Sequence, residues 1–432
     1  MQGRVKLLAS VIGLLVPVMF TAKMVSADET FTATTAISLP SGQQIKSFDI
    51  SFVDPRTGNY FLADRTNKSI DIVDTSTNTV AAQYQDNFAG FTGNNDTSGP
   101  DGVLVTDHNR IWVGDGGSQV KVLDLGTGKE LANINTGGKN RADELCFDAR
   151  NRIIVMANDA ESPFPFISFI DADSYTVLGK MTMDGTKGTP KATNGIEQCQ
   201  WSPRTHKVYL NIPEVNGPGN DSVPGAVLVI DAREQEIEQT FTIPLASCAG
   251  PQGMALGPHG QILLGCNAPG PSGNAPTAVI NERTGEVVAT LNNESGSDEV
   301  DYNPADNHYF LAESGHVPNQ ALGVADAGPP ARGDASVTTA PKTGGGAIGS
   351  NHSVASDPVT GHVYVPISAT SGSSVCSSAG GSDTQGCIAV FTTPNDDCFA
   401  QGMPVRDFDE DGNARFEHEG CRDHDHHEAS ND

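Results

Sequence analysis

Two stretches of this chain follow the same pattern, "SFDISFVDPRTGNYFLAD" at residues 47–64 and "SNHSVASDPVTGHVYV" at residues 350–365. Each contains a short apolar-alternating run, an Asp-Pro pair, turn residues with Gly, and a second apolar run that includes Tyr. Alternation with a period of two is typical of β-strands, and Asp-Pro followed by Gly is typical of tight turns. The pattern therefore predicts a β-hairpin, and its recurrence near the other end of the chain predicts a repeat architecture.

Five further copies of this hairpin lie between the two. The turns after the first run are anchored at Asp54, Asp107, Asp148, Ser202, Gly257, Asn303 and Asp357, spaced 41 to 55 residues apart. A third apolar run follows in most units, and a fourth often follows it. This period predicts an all-β fold, a seven-bladed β-propeller of four-stranded antiparallel blades. Two smaller β domains are the alternative, which the even spacing of the repeats disfavours.

The seventh unit shows no clear fourth strand after "CIAVF" at residues 387–391. The segment "TATTAISLP" at residues 32–40 resembles "EQTFTIPL" at residues 238–245, which is the fourth run of unit four. We therefore expect the N-terminal strand to complete the last blade and to close the ring.

The start of the chain is typical of a signal for export. Arg4 and Lys6 precede an apolar run at residues 7–20, which is too short to span a membrane, and Val25-Ser26-Ala27 is a small-residue cleavage pattern. The expected organisation is a signal peptide at 1–27, a propeller at 28–394 and a tail at 395–432. The mature protein is expected to be secreted or periplasmic, to be a monomer, and to have no transmembrane anchor.

The net charge and the cysteine content limit which partners and which cellular compartment are expected. The formal net charge of −27 disfavours nucleic acid as a partner and favours cations. Export permits disulfides, and an even count of eight cysteines predicts up to four. The expected pairs are Cys146–Cys199 between inner strands of adjacent blades, Cys248–Cys266, Cys376–Cys387 and Cys398–Cys421.

Polar residues precede the first strand of nearly every unit. Counting back five residues from each anchor gives Asp49, Gly102, Asp143, Glu197, Gln252, Asp298 and His352, with Asp101 beside Gly102 as its stand-in. Since the first strand of each blade lines the central channel, these residues are expected to form a ring at one mouth. Clustered carboxylates repel one another unless they are protonated or hold a cation. Solvated acids that simply cap a water-filled channel are the alternative.

The ring predicts a divalent-metal site for Ca²⁺, Mg²⁺, Mn²⁺ or Zn²⁺. We assign Asp143, Glu197 and Asp298 as metal ligands, and His352 or Asp49 as a catalytic base. The second strands end on the same face, where long Gly- and Pro-rich loops could wall a pocket or be mere surface insertions. The residues expected to contact a small-molecule or polymer ligand there are Gln252, Asp101, Asn158, Asn267 and His316.

The tail is acidic and rich in His. Asp407, Asp409 and Asp411 with Gly412 match the start of a calcium loop, but His418 stands where that loop requires Glu. A weak calcium site, capture of Zn²⁺, Cu²⁺ or Ni²⁺ by the histidines, and a disordered solvated tail are the three interpretations.

The units resemble the YVTN-type propeller repeat. Tyr209-Leu210-Asn211 and Tyr364-Val365-Pro366 are partial matches, and residues 70–80 and 122–131 match the stretch that follows in that repeat. The resemblance covers roughly Phe48 to Thr393 and implies the fold rather than an activity.

Three functions remain open. A metal-dependent hydrolase or lyase is one, because a metal held by carboxylates at a channel mouth resembles the gluconolactonase and senescence-marker-protein class and the streptogramin lyase class. A non-catalytic binding propeller and an extracytoplasmic metal-handling protein are the others. The sequence contains no G-x-S-x-G elbow, no phosphate-binding loop before a helix and no C-x-x-C-H haem motif.

Overall fold

The computed structural model describes residues 31–85, 87–266, 276–315, 319–328, 331–341 and 352–393, together with the backbone of two short strands at 407–408 and 414–415. The expected pair Cys398–Cys421 and the candidate ligand contacts Asn267 and His316 lie outside the described residues. No helix among the described residues has the length and apolar character needed to cross a bilayer.

The chain folds into seven four-stranded antiparallel sheets, six of which are continuous in sequence. Blade 1 contains β2 (Ser51–Asp54), β3 (Asn59–Asp64), β4 (Ser69–Asp74) and β5 (Thr79–Gln85). Blade 2 contains β6 (Val103–Thr106), β7 (Arg110–Asp115), β8 (Gln119–Asp124) and β9 (Glu130–Asn135). Blade 3 contains β10 (Leu145–Asp148), β11 (Ile153–Asn158), β12 (Phe166–Asp171) and β13 (Val177–Thr182).

The same order of strands continues through the second half of the ring. Blade 4 contains β14 (Cys199–Ser202), β15 (Lys207–Ile212), β16 (Gly225–Asp231) and β17 (Glu236–Ile243). Blade 5 contains β18 (Pro251–Leu256), β19 (Gln261–Cys266), β20 (Pro276–Asn281) and β21 (Val287–Ser295). Blade 6 contains β22 (Val300–Asn303), β23 (His308–Glu313), β24 (Asn319–Asp326) and β25 (Arg332–Pro341).

Blade 7 is completed by the N-terminal strand. It contains β26 (Ala355–Ser356), β27 (Val363–Ile367), β28 (Cys387–Thr392) and, as its outermost strand, β1 (Thr32–Ile37). β1 runs antiparallel to β28, from Thr32 opposite Thr392 to Ile37 opposite Ile388. The expectation that the N-terminal strand closes the ring is confirmed. A short helix, α1 (Val375–Ser378), lies in the connection before β28, and β29 (Asp407–Phe408) pairs with β30 (Ala414–Arg415).

The core lies between blades rather than within them. Seven clusters of buried apolar side chains are found among the described residues, each shared by two adjacent blades. The second strands supply fully buried aromatics that also reach across, as Tyr364 donates its hydroxyl to the Thr75 carbonyl of blade 1 at 3.3 Å. Each blade therefore buries its faces only against its neighbours, which explains why the sequence repeats.

Three disulfides join the pairs expected from the sequence. Cys146 and Cys199 link the inner strands of blades 3 and 4, with their Cα atoms 5.7 Å apart. Cys248 pairs with Cys266 in blade 5, and Cys376 in α1 pairs with Cys387 at the start of β28. Three disulfides indicate an oxidising compartment.

Candidate functional site

The polar ring is positioned by one backbone hydrogen bond that recurs from blade to blade. The amides of Asp49, Asp101, Asp143, Glu197 and Asp298 each donate to a carbonyl near the end of the second strand in the same blade, at 2.8 to 3.2 Å. The residue after each then accepts a hydrogen bond from that same second-strand residue. These side chains therefore start the inner strands at the same end of the channel.

This recurring bond corrects the alignment in blade 2 by one residue. Asp101, rather than Gly102, donates to the second strand at Gly114 and so occupies the ring position. A Cβ on Gly102 would lie 2.2 Å from the carbonyl oxygen of Asp143 in blade 3. Gly102 is therefore required by the close approach of two backbones, and Asp101 supplies the carboxylate.

Arg65 forms the first part of the ring. Its guanidinium donates to Asp101 through Nε at 2.8 Å, and its Nη2 bonds both Asp101 and Asp49. Arg65 and the two carboxylates are at most 5 % exposed. Burial alone would raise the pKa of the Asp49 carboxyl, but Arg65 and His352 hold it below its usual value.

His352 joins blades 6, 7 and 1. Its Nε2 lies 2.9 Å from Asp49 Oδ1 and its Nδ1 lies 2.8 Å from Asp298 Oδ2. Burial lowers the pKa of the imidazole, but the carboxylates of Asp298 and Asp49 outweigh it and raise the pKa well above its usual value. His352 is therefore an imidazolium that donates from both nitrogens.

Arg141 forms a second ionic group within blade 3. Its Nη2 lies 2.7 Å from Asp143 Oδ2 and 3.0 Å from Asp159 Oδ2. Sequence reasoning missed both Arg65 and Arg141. Arg65 directly follows the end of the second strand of blade 1, and Arg141 lies two residues before Asp143. The direction of the strands in a blade was therefore the signal that could have placed both arginines at this mouth.

Carboxyl groups outnumber cations at this mouth. Among the described residues it gathers two guanidinium groups, one imidazole and eight carboxyls, which are Asp49, Asp101, Asp143, Glu144, Asp159, Glu197, Asp298 and Glu299. Burial, followed by charged neighbours, raises the pKa of five of them, namely Asp101, Asp143, Glu144, Glu197 and Glu299. The excess negative charge must be balanced by protons or by a bound cation.

Glu144 and Glu299 are hydrogen-bonded to each other, although they belong to blades 3 and 6. Both are buried, and each follows a ring carboxylate directly in sequence. Burial raises the pKa of Glu299 to about 8. The pair therefore holds a proton at neutral pH and forms a second layer beneath the ring.

This second layer predicts a pH dependence of stability. Because the folded-state pKa of Glu299 is raised, the folded protein holds a proton that the unfolded chain releases, so stability declines as the pH rises from 4.5 to about 8. Glu299→Gln keeps a donor for Glu144 and is expected to flatten this decline, as measured by urea midpoints across that range. The exposed Glu236→Gln is the control and should follow the wild-type curve. A variant curve parallel to the wild type would contradict the shared proton.

The other predicted ligand contacts are placed differently. Asn158 is fully buried and donates to Ser118 Oγ at 3.1 Å and to Thr136 Oγ1 at 3.0 Å, so it holds the connection between blades 2 and 3. Glu214 similarly accepts the backbone amides of Gly219, Asn220 and Ser222. Asn158 and Glu214 therefore fix loops instead of facing a ligand. Gln252 is the second residue of β18, the inner strand of blade 5, and its Oε1 is buried with no hydrogen-bond partner.

The donor set fits a hard divalent cation better than zinc. The three groups whose ligand atoms all lie within 4.8 Å of one another are Asp49, Asp101 and Asp143, and Asp101 Oδ2 is buried without a hydrogen-bond partner. Arg65 already bonds two of these carboxylates, so an ion there would compete with a guanidinium. Glu197 and Asp298, expected as ligands with Asp143, lie outside that group and near Glu299. Oxygen donors suit Ca²⁺, Mg²⁺ or Mn²⁺, and His352 has no free nitrogen to offer Zn²⁺.

Comparison with known proteins supports the fold and goes no further. No family model matches this chain, and no curated protein matches it. A chain of a solved structure described as "Crystal Structure of Mitotic Checkpoint Complex" is similar to it with a TM-score of 0.58 and 12% sequence identity, over 90% of this chain and 99% of that one. The protein is therefore a seven-bladed β-propeller, and at this level of identity the likeness shows the fold alone.

Proposed function

We propose that this chain is an exported propeller that binds a divalent cation at the acidic channel mouth and presents it to a small-molecule or polymer ligand. The observation that supports this is the excess of carboxyl groups over cationic groups at the mouth. A divalent ion can displace the protons that raised pKa values retain there. Glu197 and Asp298 are the proposed ligands, with Glu299 beside them, whereas Asp143, the third expected ligand, pairs with Arg141 and groups with Asp49 and Asp101.

Binding without catalysis is the function that the geometry supports best. The two residues expected to act as a base are both engaged. Asp49 bonds Arg65 and His352, and its pKa is lowered, while His352 donates from both ring nitrogens. A general base needs a free lone pair and a pKa near the working pH.

A cation-binding test separates the mouth from the tail. Titration of the full chain with Mn²⁺ by calorimetry should detect a site, and Glu197→Gln or Asp298→Asn should weaken it at least about tenfold because each removes a charged donor. Asp231→Asn is the control. It removes a partly exposed carboxylate that pairs with Lys207, and it should not change the affinity for Mn²⁺. Loss of binding only on deletion of residues 395–432 would instead support metal handling by the tail. Absence of any binding would overturn the proposal.

A metal-dependent hydrolase of the lactonase-like kind is the second candidate. The observation that favours it is the Glu144–Glu299 pair, because a carboxyl with a pKa of about 8 can donate a proton near neutral pH. A chelator-sensitive activity on a lactone panel that is lost in Asp298→Asn and in Glu299→Gln would support this candidate over simple binding.

The proposed organisation keeps a signal peptide at 1–27, the propeller at 28–394 and a separate tail at 395–432. Export is supported by the signal pattern and by the disulfides, and the YVTN-type resemblance of the repeats suggests a binding scaffold.

A further inference from the structure

The central channel contains a chamber that begins directly beneath the acidic ring and extends toward the opposite face. A cavity of about 210 Å³ is lined by the inner strands of blades 1 to 4. Its walls include Phe52, Leu104, Phe147 and Trp201, and its polar groups include Glu144 and Gln200. An engineered apolar cavity of about 150 Å³ in another protein holds benzene, so a chamber of this size can hold a single ring.

The chamber has a defined orientation. Glu144 belongs to the second acidic layer and lies at the start of its inner strand, whereas Phe147 and Trp201 are the next-to-last residues of β10 and β14. Both aromatic side chains remain half-buried. The chamber therefore has an acidic end toward the ring and an aromatic end toward the opposite face of the propeller.

Arg150 lies beyond the residues that line the chamber and is linked to its aromatic end through His206. The ring of Trp201 stacks on His206 with centroids 6.3 Å apart, and His206 Nδ1 lies 2.6 Å from Arg150 Nη1. Neighbouring arginines are neutralised, since Arg152 pairs with Asp107 and Arg204 with Glu282. Arg150 is exposed and, among the described residues, has no carboxylate within ion-pair distance.

We propose that this chamber binds a small aromatic carboxylate, with its ring between Phe52, Phe147 and Trp201 and its carboxylate on Arg150. A guanidinium pairs with a planar carboxylate through two parallel hydrogen bonds. The acidic layer at Glu144 repels the anionic group and so directs it toward the opposite face. The site is distinct from the cation site at the acidic mouth and does not depend on it.

Benzoate is the probe for this site. The chain contains two tryptophans, and Trp112 is fully buried, so a change of fluorescence on titrating the full chain with benzoate reports on Trp201. Arg150→Gln is expected to weaken benzoate binding about tenfold to a hundredfold, which is the usual range for a hydrogen bond to a charged group. Benzamide, which lacks the charge, should bind weakly to both proteins. Arg233→Gln, an exposed arginine on an outer turn, is the matched control and should bind benzoate as the wild type does.

Three outcomes would overturn the inference. They are no benzoate binding below about 10 mM by fluorescence or calorimetry, equal binding of benzamide and benzoate, and unchanged benzoate binding in Arg150→Gln. Arg150→Gln should leave the Mn²⁺ affinity unchanged because Arg150 lies on the face opposite the acidic mouth. The test of benzoate binding in the chamber and the test of cation binding at the acidic mouth can therefore fail independently of each other.

Discussion

Replacing Arg65 with Gln is expected to lower the free energy of unfolding by about 3–5 kcal/mol at pH 7, because it leaves buried carboxylates without their cation. Arg65 is 3 % exposed and bonds Asp49 and Asp101, which are at most 5 % exposed. A glutamine at this position can donate one or two hydrogen bonds but carries no charge. The measurement is the urea midpoint of the variant against the wild type.

The stability lost in Arg65→Gln should depend on pH. The pKa of Asp49 is lowered in the folded protein, so its stabilising contribution is present above the usual Asp value of 3.8 and disappears as the pH falls further. The gap between wild type and Arg65→Gln should therefore narrow in acid. Arg233→Gln removes an arginine that is 72% exposed and is expected to change stability by less than about 0.5 kcal/mol.

Arg65→Gln also tests whether the guanidinium occupies a position that suits a metal ion. Without it, Asp49 and Asp101 lose their guanidinium partner, while His352 still bonds Asp49 and Arg141 still bonds Asp143. Mg²⁺ or Ca²⁺ should take the place of the guanidinium among these carboxylates and restore part of the lost stability. A variant as stable as the wild type at pH 7 would show that protons, rather than Arg65, balance these carboxylates.

Removing the Cys146–Cys199 disulfide is expected to have the second largest effect, about 4 kcal/mol, because this bond closes the longest loop of the three. Its cysteines are 53 residues apart, against 18 for Cys248–Cys266 and 11 for Cys376–Cys387. The shorter loops predict about 3 kcal/mol each by the same chain-entropy argument. The experiment compares urea midpoints of the three double Cys→Ala variants without reductant.

The order of the three losses is the informative result. If Cys376–Cys387 proved the most important, ring closure would limit stability, because that bond anchors α1, whose neighbour Ala379 accepts a hydrogen bond from the amide of Ala36 in β1. Addition of reductant to the wild type should lower the urea midpoint by more than any one of the three double variants does, because it breaks all three described disulfides together.

The local sequence pattern was sufficient to predict the fold and much of the acidic channel mouth. The seven hairpins, the closure of blade 7 by β1 and the three described disulfide pairs all follow from strand periodicity and from the order of strands in a blade. Five of the seven ring positions follow too, since the same backbone hydrogen bond recurs in blades 1 to 4 and in blade 6. The single slip fell in blade 2, where a glycine and an aspartate are adjacent and the pattern does not distinguish them.

What the sequence by itself determined was the scaffold, because each blade is specified by residues close together in the chain. What only the tertiary structure decided was the chemical state of the mouth. Asp49 meets His352 across 303 residues, and Glu144 meets Glu299 from two non-adjacent blades. Charge balance and proton sharing depend on such distant partners and on burial, neither of which a repeat pattern encodes. The arginines that neutralise part of the ring therefore became visible only once the seven units had closed around the channel.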